Sequence, residues 1–79
     1  MAMTKEQATS FINEELIPAV NVSSSRAFTT LAEDFDALVI ALSSGNDILV
    51  FAMASYISNV DGLKNGVEIA QKITNKMFQ

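Results

Sequence analysis

The stretch from Ala37 to Val60, ALVIALSSGNDILVFAMASYISNV, limits what this chain can fold into more than any other. Two apolar runs flank one polar break, Ser43-Ser44-Gly45-Asn46-Asp47, and no charged residue occurs between Ile48 and Val60. Water is excluded from such a segment only if it is covered on most sides, by its own chain or by another copy. The break holds a stop and a start. Gly45 suits the left-handed position that closes a helix, and Asn46 or Asp47 suits the cap of the next. So short a connection predicts an antiparallel pair of helices.

The flanking sequence extends this to an all-α, small four-helix bundle in one domain, 1–79, with helices at about 4–17, 26–43, 47–59 and 62–77, built around a central antiparallel hairpin of the second and third. Thr4-Lys5-Glu6-Gln7 has the form of a capping box. Ala8, Phe11, Ile12 and Leu16 follow at helical spacing, and Pro18 predicts the stop near Ile17. Pro18 to Ser25 is the candidate linker, with Ser23, Ser24 and Ser25 as alternative caps. Its Asn21-Val22-Ser23 has the form of a glycosylation sequon but reads as an ordinary loop.

In the second helix Phe28, Leu31, Ala32, Phe35, Leu38, Val39 and Leu42 keep the i, i+3, i+4 pattern. Ile40 falls on the other side. In the third, Leu49, Met53, Tyr56 and Val60 form the expected inner stripe, with Val50, Ala52 and Ile57 beside it. Its far side holds Ser55, Ser58 and Asn59, but also Ile48 and Phe51. Asp61 is the expected cap of the fourth helix. Leu63, Val67, Ala70, Ile73, Thr74 and Met77 are its expected inner face, and Gly66 is an expected point of close approach.

The hydrophobic fraction is 49% and there is no cysteine, so neither a disulfide nor a thiolate metal site can staple this 79-residue domain. The net charge is −4, with five scattered basic residues, which disfavours nucleic acid and anionic membranes as partners. Met1 to Glu6 contains no apolar core of a secretory leader, and the expected location is cytoplasmic.

The chemical inventory mostly excludes. Without histidine or cysteine there is no His–Ser or His–Cys nucleophile pair, and no Glu-x-x-His di-iron pattern can be written. No glycine-rich phosphate loop is present. Acyl carrier proteins are also acidic, four-helical and of about this length, but they carry Asp-Ser-Leu where this chain reads Ser23-Ser24-Ser25-Arg26. No catalytic, cofactor or metal residue is therefore assigned, no cofactor is expected, and the chain is read as not an enzyme. Glu15 reads as an acid that snorkels at the rim or pairs with Arg26 or a lysine, not as a catalytic group.

Two surfaces remain. Ile40, Ile48, Phe51 and Ser55 form a candidate interface, and Glu33, Asp34 and Asp36 a candidate acidic docking face. The expectation is a non-catalytic protein–protein interaction module, a small adaptor, inhibitor or regulator, self-associating as a homodimer through the second and third helices. The alternative is a membrane-associated helical hairpin. It is weakened by runs shorter than the roughly 20 residues of a spanning helix. A helix-turn-helix reader is weaker still, because the third helix has no Arg, Lys or Gln with which to read bases.

Overall fold

Thr4 and Gln7 open the first helix reciprocally. The Gln7 N–H donates to Thr4 Oγ1 at 3.0 Å, and the Thr4 N–H donates to Gln7 Oε1 at 2.9 Å. This satisfies two of the amides that a helix start leaves free. In the computed structural model, which describes residues 2–78, α1 spans Lys5–Phe11. It widens into a π-turn over Ile12–Leu16 and tightens into a 3-10 turn over Ile17–Ala19. Pro18 explains the change of pitch. It has no N–H to donate, and the Ile17 N–H donates instead to the Ile12 carbonyl, one residue further back than in an α-helix. The widened turn still buries Ile12 and Leu16.

Three longer helices follow: α2 over Ser25–Ser44, α3 over Asp47–Ser58 and α4 over Gly66–Met77. Ser24, the middle one of the three candidate serines, caps α2 through its hydroxyl, which accepts from the Ala27 N–H at 3.1 Å. Gly45 closes α2 in the left-handed conformation (φ 74°), and the Asn46 side chain caps α3 by accepting from the Leu49 N–H at 3.1 Å. The described residues are all-helical apart from one isolated bridge, and the four helices pack against one another. Their shared core takes Phe11 and Leu16 from the first segment, Leu31 and Leu38 from α2, Ile57 from α3, and Ile69 and Ile73 from α4. Each such side chain stabilises the fold by roughly 1.5–3 kcal/mol through burial.

Two expectations about the end of the chain are corrected. The fourth helix does not begin at 62 under an Asp61 cap. It begins at Gly66, because residues 62–65 pair with the linker instead. Val22 and Leu63 form an antiparallel bridge; the Ser23 N–H donates to the Gly62 carbonyl at 2.9 Å and the Lys64 N–H to the Asn21 carbonyl at 2.7 Å. Asn65 completes this clasp. Its Oδ1 accepts from the Asn21 N–H at 3.0 Å, and its Nδ2 donates to the Ala19 carbonyl at 2.7 Å. Val67 is not on the inner face of α4 but exposed, since Gly66, Ile69 and Ile73 turn inward. Gly66 does serve a close approach. It is buried, and a Cβ there would strike the Ser58 carbonyl oxygen at the end of α3.

The clasp yields a test of fold stability. Asn65→Ala removes both links to the linker backbone, leaves the Asn21 N–H and Ala19 carbonyl to water, and should lower stability by about 1–3 kcal/mol in urea melts followed by circular dichroism. Asn65→Asp keeps the acceptor but not the donor and should fall between the two.

Candidate interaction surface

The outer face of α3 exists because of how that helix is rotated. Val50, Ala54 and Ile57 are buried, and Met53 and Val60 are half-buried. The expected inner stripe of Leu49, Met53, Tyr56 and Val60 is therefore off by about a quarter turn at 100° per residue. Leu49 and Tyr56 come out to the surface. In this orientation α3 packs against both α2 and α4, with Gly66 close against Ser58. The sequence of α3 resists it little, because apolar residues lie all round the helix.

As a result Ile48 is 81% exposed, Tyr56 64% and Phe51 45%, with Ala52, Ser55 and Asn59 exposed between them. This face carries no charge. The neighbouring end of α4 extends it, as the rings of Phe51 and Phe78 stand 6.5 Å apart at 44° and Phe78 is 78% exposed. Of the four expected interface residues, Ile48, Phe51 and Ser55 share this face. Ile40 is exposed too, but it projects from the back of α2, opposite that helix's buried side. Phe28, expected inside, is partly exposed near the start of α2.

The acidic trio does not act as one face. Glu33 and Asp36 are exposed, while Asp34 is half-buried on the inward side of α2, and its buried Oδ2 has no hydrogen-bond partner. Burial first, and the Glu33 carboxylate second, hold the Asp34 carboxyl above its ordinary pKa of 3.8. Of the alternatives for Glu15, the structure shows pairing with a lysine. Glu15 Oε2 lies 3.4 Å from Lys76 Nζ, which also stands 5.3 Å over the Phe11 ring. That contact crosses an open groove of about 580 Å³ between α1 and the end of α4, lined in part by Glu6, Glu14 and Met77. Among the described residues no group of three His, Cys, Asp or Glu side chains could hold a metal ion, and no helix is long and apolar enough to cross a membrane.

No protein-family model, curated protein or solved structure matches this chain. What α3 offers chemically is therefore read from its own side chains. They supply apolar contact area, one exposed phenol, and small hydrogen-bonding groups at Ser55 and Asn59. Tyr56 and Phe78 add to the candidate interface read from the sequence. The helical spacing of Tyr56 from Leu49 and Met53 places it on the expected inner stripe, and the rotation of α3 brings it out.

The orphaned Asp34 oxygen has a pH signature. A carboxyl whose pKa is raised by folding binds its proton more tightly in the native state. Its ionised form then costs stability at neutral pH, and the cost is relieved as pH falls through the raised pKa and gone below about 3.8. Asp34→Asn should therefore be more stable than the parent at pH 7 by about 0.5–1 kcal/mol, since a half-buried group forfeits less than a fully buried one. Melting both proteins from pH 7 down to about pH 3 should show the difference shrinking to zero. A difference that grows with acid would refute this account of Asp34.

Proposed function

We propose that this chain is a non-catalytic protein–protein interaction module, an adaptor, inhibitor or regulator. In this reading an antiparallel hairpin of α2 and α3 is the scaffold, and the outer face of α3 is the contact surface. The observation that carries it is the uncharged exposure of Ile48, Phe51 and Tyr56 along one helix face. Exposed apolar side chains on a small soluble fold occur singly as a rule, and a contiguous group of them marks a contact site. Aromatic and large apolar side chains without charge are also the composition of an interface core rather than of a rim.

The remaining surface supports the same reading by its chemistry. The sequence has no imidazole or thiol to act as base, nucleophile or soft ligand. Glu33, Asp34 and Asp36 diverge around α2, and Glu15 is engaged with Lys76. Negative charge without a basic patch also disfavours nucleic acid.

Ser55 is the position at which to test this, because it is exposed at the middle of the face and absent from the core. Ser55→Arg should leave the helical circular dichroism and melting temperature within error of the parent. Immobilised parent protein should retain its partner from native extract, and Ser55→Arg should lose it by tenfold or more. Equal retention by the two proteins would remove α3 from the contact.

A further inference from the structure

We infer that the occupant of this face is a second copy of the chain, docked antiparallel along α3 about a two-fold axis that passes between Ala52 and Ser55. The inference rests on the interaction-module reading above and names its partner. Three observations carry it: the charge of the chain, the self-matching order of residues on the face, and its area.

The charge comes first. The chain is acidic, with a net charge of −4, so two copies repel unless they meet where neither carries charge. The outer face of α3 has no ionisable group from Ile48 through Asn59 other than the Tyr56 phenol. Asp47, the one carboxylate of α3, stands at its first turn. A parallel pairing would bring both Asp47 carboxylates to one end. An antiparallel pairing sends them to opposite ends of a 12-residue helix, about 18 Å apart.

The order of residues is self-complementary in that orientation. With the axis between Ala52 and Ser55, Ala52 of one copy lies opposite the partner's Ser55. Ile48 lies opposite the partner's Asn59, and both of these central contacts occur twice, as two-fold symmetry requires of an isologous interface. Phe51 and Tyr56 stand about 140° apart around the helix, on opposite edges of the face, so each meets its own copy across the interface. The small side chains fall at the crossing, where they let the axes approach to about 8 Å. The Phe51 and Tyr56 pairs run along the two edges of the contact, where aromatic rings can pack offset. A residue that meets its own copy must carry no charge, and none on this face does.

The area is of the right order. At about 150–250 Å² for a large side chain, the exposed fractions of Ile48, Leu49, Phe51, Tyr56 and Phe78 come to roughly 450–750 Å² per copy. The exposed parts of Ala52, Ser55 and Asn59 bring this towards the 800 Å² or so that each partner gives to a standard interface. The fold does not expose this area through poor packing. Its accessible surface of 4817 Å² is close to the roughly 4,700 Å² expected of a well-packed 8.5 kDa monomer.

Sedimentation equilibrium on the full chain tests the proposal. At about 100 µM the parent should have twice the 8.5 kDa chain mass, and Ser55→Arg the single mass with unchanged circular dichroism. The register is tested by charge. Ala52→Glu and Ser55→Lys should each be monomeric alone. Mixed in equal amounts they should form a mixed dimer, because each Glu then meets a Lys across the axis, with at least tenfold tighter association than either variant with itself. A parent that is monomeric at this concentration overturns the second-copy inference. If it is monomeric yet loses an extract partner on Ser55→Arg, the interaction-module reading stands and this one falls. A parent that sediments only with zwitterionic lipid vesicles overturns both in favour of a membrane surface. A dimer untouched by Ser55→Arg, or variants that fail to rescue each other, places the contact elsewhere and also overturns the inference.

Discussion

The close approach of α4 to the end of α3 governs the rest of this structure. Gly66 sits where any side chain would strike the Ser58 carbonyl, so the start of α4 lies directly on the last turn of α3. Backbone packed that tightly leaves α3 little freedom to roll. Val50, Ala54 and Ile57 are turned to the core, and Ile48, Phe51 and Tyr56 are left outside. The surface on which the functional reading rests is thus the side of α3 that packing against α2 and α4 leaves uncovered. The clasp just before it, in which Asn65 holds the Ala19–Asn21 backbone, fixes where α4 can start.

The helices themselves were legible in the chain. Caps at Thr4, Ser24 and Asn46, the left-handed Gly45 and the break at Pro18 act through the nearest few residues, so they can be read without knowing the tertiary fold. The rotation of α3 was not legible. A helix with charged residues on one side declares its inner face, and α2 comes close to this. In α3 apolar residues lie all round, so the Leu49–Tyr56 stripe and the Val50–Ile57 stripe are both available, and packing against α2 and α4 takes the second. The late start of α4 was hidden for the same reason. Asp61-Gly62 carries a plausible local start signal, but pairing between Val22 and Leu63, far apart in sequence, overrides it.

The candidate residues fared according to how far each depended on that rotation. Ile48 and Phe51 are outside under either orientation, as both lie off both stripes. Tyr56 changes sides with the quarter turn. Asp34 could not be told from Glu33 and Asp36 by composition, and the helical twist alone separates it from them and turns it inward. Glu15 found its lysine at the opposite end of the chain, where no local pattern connects them.

That last contact bears on the topology of the molecule. Lys76 reaches Glu15, Ala2 and Met77 line the same groove, the Met3 N–H donates to the Leu42 carbonyl, and Ala2 stands against Gly45. Both described ends of the chain and the turn between α2 and α3 therefore gather at one pole, with the clasp at the other. The turn that joins α2 to α3 is thus held from outside as well as by its own caps, because residues near the start of the chain lie against it.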